Sequence, residues 1–144
     1  MSYTIDANLL IYASDTSSPE YSAACDFLTA RVEDPDLMCL MWATLMAYQR
    51  VVTHPSIFVR PLDPSLAWKN IQSLLSLPRV RIITEEPGFA DDYRIVTAGM
   101  IARGNLVPDA HVATVLRQHG VRRIYTADTD FRKFAFLEVI NPFK

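Results

Sequence analysis

"PDAHVATVLRQHGVRRIYTADTDF" runs from Pro108 to Phe131, and its reading decides the fold. Pro108 suits the first position of a helix, where its missing N–H costs nothing. Val112, Val115 and Leu116 then recur at helical spacing, and Gly120 supplies the stop. "RRIYT" (122–126) is β-branched and aromatic and reads as a strand. A helix delivered through one glycine into a strand is half of a repeating α/β unit. Immediately after that strand come two carboxylates one residue apart, Asp128 and Asp130.

The same alternation extends along the chain. "YTID" (3–6), "LMCLM" (37–41), "VRIIT" (80–84) and "LEVI" (137–140) read as strands. The apolar run 37–41 is of the kind buried on both faces of a parallel sheet. Helices are predicted over 7–14, over 19–32 with Ser18 as cap and Pro19 at the first position, and over 42–53. Others are predicted over 64–77 behind Asp63 and Pro64, and over 88–103, stopped by Gly104; a turn of helix fits 129–134. The apolar faces of 7–14, 19–32 and 64–77 read as core and are also candidate contacts with a second copy of the chain or another protein. Strands alternating with helices predict a single α/β domain with a mostly parallel sheet.

Composition sets the limits. The chain has 144 residues, half of them hydrophobic, enough for one substantial core. Four glycines and nine prolines are spread along it, so no segment reads as low-complexity. The start, "MSYTIDANLL", has neither a basic region nor a long apolar stretch, and no run approaches the length of a membrane span. A cytoplasmic protein is expected. Cys25 and Cys39 lack metal spacing and read as buried free thiols. The net charge of −2 argues against a broad coat for nucleic acid. Arg117, Arg122, Arg123, Arg132 and Lys133 nevertheless gather near the acidic pair in sequence.

Ligands of open α/β sheets bind at the carboxyl ends of the strands. Asp6 closes the first strand, Asp128 follows the strand 122–126, and Asp109 stands in the first turn of the helix before it. If the strands holding Asp6 and Asp128 are neighbours, these acids and Asp130 meet at one edge. Each has a simpler reading: Asp6 and Asp128 as helix caps, Asp109 as a partner of the helix dipole. Capping does not explain why three separate segments bring acids to one side. A cluster of carboxylates needs a cation or shared protons, and oxygen-only ligands suit Mg²⁺ or Mn²⁺. Competing chemistries find little support. There is no G-x-G-x-x-G, no P-loop and no G-x-S-x-G, and His54, His111 and His119 are not at zinc spacing. A receiver-type phosphoacceptor needs an acidic pair after the first strand, where Asp6 stands alone.

"YTIDANLLIYA" (3–13), "GNLVPDAHVA" (104–113) and "YTADTDFRKF" (125–134), with "MWATLMAYQRVVTHPSIFVRPL" (41–62) and "NPF" (141–143), resemble a PIN-domain ribonuclease of the VapC toxin kind, in its mycobacterial-type branch. The resemblance covers nearly the whole chain. It implies a three-layer α/β/α sandwich around a parallel sheet, and Mg²⁺-dependent cleavage of RNA, often tRNA or rRNA, that inhibits translation. It places the family's acids at Asp6, Asp109, Asp128 and Asp130, and its supporting polar residues at Asn8 and Thr126. It implies a VapB-type antitoxin that blocks the site, and a toxin homodimer. One departure stands out: many PIN domains carry a glutamate on the helix after the second strand, where this chain has Ala47. That loss motivates an alternative, a PIN-like module that binds RNA or a protein with weak or no catalysis.

Overall fold

A computed structural model describes residues 1–144. Its five strands, β1 (Ser2–Ile5), β2 (Leu37–Leu40), β3 (Val80–Ile82), β4 (Arg123–Tyr125) and β5 (Glu138–Ile140), form one sheet in the order β3-β2-β1-β4-β5. All neighbours are parallel, with Tyr3 opposite Met38 and Ile5 opposite Tyr125. Parallel neighbours need crossovers, which here are α1 (Ala7–Tyr12), α2 (Tyr21–Ala30), α3 (Trp42–Val52), α4 (Pro64–Leu75), α5 (Phe89–Val96) and α6 (Leu106–Gln118).

Period-two alternation along the strands feeds two cores. On one face Tyr3, Ile5, Met38 and Leu40 pack with Leu9, Leu45, Tyr48 and Ile71 from α1, α3 and α4. On the other, Cys39, Met41 and Ile124 pack with Val96 of α5 and with Ala110, Ala113 and Leu116 of α6. The result is helices, sheet, helices, as the α/β/α reading expects. The chain first builds outward from β1 through β2 to β3, then returns to place β4 on the other side of β1. The boundary between β1 and β4 is therefore the switch point at which the carboxyl ends of the strands open a crevice.

Helix boundaries depart from expectation: α1 and α4 end two residues short of the predicted 14 and 77, at Tyr12 and Leu75, and three further helices differ in start or end. The helix predicted over 88–103 ends at Val96: the Thr97 hydroxyl donates back to the Tyr93 carbonyl at 2.7 Å, and Gly99 turns the chain with φ +79°. The helix predicted from Pro108 starts earlier, at Leu106. Pro108 still lies in the first turn, where no intrahelical bond is lost. The helix predicted from Pro19 starts at Tyr21, because the Ser18 hydroxyl accepts from Glu20 N–H and donates to the Glu20 carboxylate, closing a separate turn. Cys25, expected to be buried, is half-exposed; Cys39 is buried. Asp63 caps α4, accepting from Ser65 N–H at 2.8 Å, as the sequence predicts.

Gly120 performs the turn that delivers the opening segment into the sheet. At φ +68° it lets Val121 N–H reach the Leu116 carbonyl (2.9 Å) while its own N–H reaches that of Arg117 (3.1 Å). Orphan carbonyls of α6 are thereby satisfied, and Val121 is buried against the core.

Candidate active site

Asp6 continues β1. Its N–H donates to the Tyr125 carbonyl at 2.9 Å, so the ladder with β4 fixes its backbone. Its Oδ1 accepts from Ala7 N–H (2.7 Å), capping α1, and its Oδ2 accepts from the Thr126 hydroxyl (2.7 Å). Thr126 is fully buried and held by its own N–H to the Ile140 carbonyl (2.9 Å). Its Oγ1 also accepts from Asn8 Nδ2 (3.2 Å) and from Asp128 N–H (2.9 Å). One hydroxyl thus ties β1, the start of α1 and the segment after β4 together.

Beyond Thr126 the chain turns twice. Asp128 Oδ1 accepts from Asp130 N–H at 2.9 Å, which starts a 3₁₀ turn over Asp130–Lys133. Phe131 and Phe134 anchor that turn in the core beneath α6. Asp109, in the first turn of α6, comes down onto the same spot. Carboxylate oxygens of Asp109, Asp128 and Asp130 lie within 4.8 Å of one another. Asp6 stands outside this tightest group, with its oxygens engaged by Ala7 and Thr126, but within electrostatic range of it.

The electrostatics show what the arrangement costs. Burial, then the carboxylates of Asp6, Asp128 and Asp130, push Asp109 up to about 6, with Lys133 opposing. Burial also raises Asp6, Asp128 adds to the shift, and the donors Thr126 and Ala7 pull against it. Mutual repulsion of this kind, in an all-oxygen donor set, fits a hard divalent cation, and this cluster can hold one.

The basic residues divide. Arg117, Arg122 and Arg123 lie toward the end of α6 and the start of β4, at the opposite edge of the sheet, and Arg123 is drawn to Glu138 (3.6 Å) and Asp36. Arg132 and Lys133 alone flank the acids, exposed on the 3₁₀ turn. Ala47 lies half-buried on α3, which packs against α1. Gln49 donates to the Pro64 carbonyl and joins α3 to α4. Trp42, Glu85 and His111 occupy the same carboxyl edge but lie outside the sequence-derived set. Trp42 and Glu85 follow β2 and β3 within a few residues, a position that could have marked them. A cavity of about 430 Å³ lies elsewhere: Leu10, Leu28, Ile71 and Leu74 line it between α1, α2 and α4.

No protein-family model matches the chain. It is 40% identical to Ribonuclease VapC48 of Mycobacterium tuberculosis over 143 residues, covering 99% of both chains. In three dimensions it resembles VapBC2 from Rickettsia felis, solved bound to a DNA fragment from their promoter, with a TM-score of 0.68, 17% identity and 98% of each chain covered. It also resembles VapC20 of M. tuberculosis, a Sarcin–Ricin loop cleaving toxin, with a TM-score of 0.66, 17% identity and coverage of 95% of this chain and 98% of that one. The two structures carry the PIN fold. Near-complete coverage at 40% identity makes this chain a member of the VapC family, the ribonuclease toxins of toxin–antitoxin systems.

Proposed function

We propose that this VapC ribonuclease is a Mg²⁺-dependent endonuclease of the cytoplasm that cuts tRNA or rRNA to stop translation, and that a VapB-type antitoxin restrains it. The observation that supports this best is the convergence of Asp109, Asp128 and Asp130 within 4.8 Å, beside a partly buried Asp6. These three carboxylates would hold the cation, with Asp6 behind them shaping the charge of the site. Mg²⁺ bound there would supply charge neutralisation at a phosphate and a more acidic water. Thr126 fixes Asp6 and the turn bearing Asp128, so both acids are aimed before substrate arrives. Arg132 and Lys133 offer cations to the RNA backbone at the rim.

The antitoxin reading draws support from the apolar cavity between α1, α2 and α4, on the helices whose faces the sequence marks as candidate contacts. The homodimer that the sequence resemblance implies belongs to the same proposal. Ala47 favours one second reading, an RNA-binding module with little turnover, since the site has one carboxylate fewer than many PIN domains. The test is cleavage of purified tRNA and rRNA with Mg²⁺ and with EDTA, the Sarcin–Ricin loop cut by VapC20 included. Wild type is expected to cut only with metal, and Asp6→Asn and Asp109→Asn to lose most of the activity. Undiminished cleavage by both variants would sink the assignment; tight RNA binding without turnover in any divalent metal would select the module.

A further inference from the structure

Beside the acids, on the same edge of the sheet, lies a second cleft of about 130 Å³ between the ends of β2 and β3 and the first turns of α6. Its walls include Trp42, Ile83, Glu85, His111, Val112 and Val115. We propose that it seats one unpaired base of the RNA, next to the phosphate held at the carboxylates, with Trp42 as the stacking surface. This rests on the ribonuclease reading of the neighbouring site.

Three observations carry it. First, the cleft and the acid site share a helix: α6 supplies Asp109 to one and His111 to the other. The β2/β3 boundary is two strand spacings, roughly 10 Å, from the β1/β4 boundary. An unstacked RNA strand crosses that distance in one or two nucleotides. Second, the cleft has the chemistry of a base site. Trp42 is 43% exposed although it begins a helix, and Trp68 of α4 stacks behind it, with ring centroids 6.3 Å apart and planes 16° from parallel. Such aromatic platforms bind single-stranded nucleic acid by stacking, whereas a duplex buries its bases. The cleft is open to solvent, so a planar base can lie against it without full enclosure, and about 130 Å³ is too small for a whole nucleotide.

Third, the polar wall is preorganised. His111 Nε2 lies 2.7 Å from Glu85 Oε1, with the ring edge-on to Phe89, and the Glu85 carboxylate, which also takes its own backbone N–H, keeps lone pairs to accept from the N–H edge of a base. The loop bearing Glu85 is pinned from α6: His119 Nε2 reaches the Thr84 carbonyl (2.7 Å), and the Gln118 amide bonds both backbone groups of Glu86. A carboxylate here repels phosphate and selects for the base.

Trp42 and Trp68 are the only tryptophans, so intrinsic fluorescence reports on this place alone. In an Asp109→Asn background that does not turn over, Trp68→Phe leaves Trp42 as sole emitter. A short single-stranded RNA is expected to quench it, and an abasic strand of equal length and charge is not. Equal quenching by the abasic strand overturns the proposal. So does emission that follows protein concentration and ignores RNA, which would make the indole pair a contact between copies of the chain. In the active protein, Trp42→Ala is expected to lower kcat/KM roughly ten- to hundred-fold, with Trp42→Phe within about threefold of wild type. Wild-type cleavage with no loss in Trp42→Ala overturns the subsite and leaves the ribonuclease standing; base-dependent quenching without any wild-type cleavage upholds the subsite and removes the nuclease.

Discussion

Replacing Asp109 with asparagine is expected to abolish cleavage and at the same time stabilise the metal-free protein. The folded state holds the Asp109 carboxyl up at about 6, against 3.8 for the free side chain, through burial and three neighbouring carboxylates. A carboxyl raised in this way binds its proton more tightly when folded. Its favourable contribution is complete below pH 4 and is lost as pH rises through 6. At neutral pH the ionised group opposes folding. The full shift corresponds to about 3 kcal/mol; because Asp109 is half-exposed, solvent screening reduces this to roughly 1–2 kcal/mol. An asparagine keeps the size and loses the charge, relieving Asp6, Asp128 and Asp130 as well.

Thermal unfolding in EDTA is the assay. At pH 8 the variant is expected to melt higher by about 3–8 °C, for a chain of this size. At pH 4 the difference closes. Added Mg²⁺ reverses the order: at a hundredfold excess over its dissociation constant it stabilises wild type by about 2.7 kcal/mol, and the variant, with one ligand lost, gains less. A variant that melts lower than wild type at pH 8 without metal, or a gap that does not change with pH, would refute the reasoning.

Thr126→Val leaves Asn8 Nδ2 and Asp128 N–H without their acceptor and Asp6 without one donor, so it is expected to cost roughly 2–3 kcal/mol in urea unfolding and to cut activity at least tenfold. Thr126→Ser, which keeps the hydroxyl, is expected to restore most of both. Lys133→Ala removes the one cation that lowers Asp109, so the Asp109 midpoint in a metal-free carbon-13 NMR titration should move further up; a downward move would contradict the placement of Lys133. Gly120→Ala meets no steric neighbour but forces φ +68° on a residue with a Cβ, and is expected to destabilise by about 1 kcal/mol without affecting the rate of cleavage per folded molecule.

Much of this was legible in the chain because local and global signals agree. The segment 108–131 announces helix, glycine stop, strand and acids in order, and the structure adds mainly where β4 sits, beside β1. The strand–helix alternation was enough to expect a parallel sheet. What periodicity could not supply are features that single side chains decide: Thr97 and Gly99 end α5 early, and Ser18 closes its own turn instead of capping α2. The basic residues are a different case. Arg122 and Arg132 are near in sequence, but a strand and a turn lie between them, and the fold puts them at opposite edges of the sheet. Nor could spacing rank the acids by proximity, since the approach of Asp130 to Asp109 depends on the pitch of a 3₁₀ turn docked by Phe131 and Phe134.

The capping reading and the cation reading of these acids turn out to be compatible, and the reason is that a carboxylate has two oxygens with more than one lone pair each. Asp6 caps α1 with Oδ1 while Oδ2 answers to Thr126, and Asp128 starts the 3₁₀ turn with Oδ1 while its other oxygen is left to the cluster. The backbone donors that a cap satisfies also fix where the remaining oxygen points. Asp109 has no such donor: hydrogen bonding makes no contribution to its shift, and its carboxyl is the one held near 6. The site therefore combines two acids locked by such donors, Asp6 and Asp128, with two whose carboxylates accept none, Asp109 and Asp130; of these Asp109 is the one that burial and its neighbours push up, and it is that last acid whose charge a bound cation would relieve most. This ordering, locked acids first and strained acid last, is why Asp109→Asn should raise stability where Thr126→Val lowers it, although both are expected to remove activity.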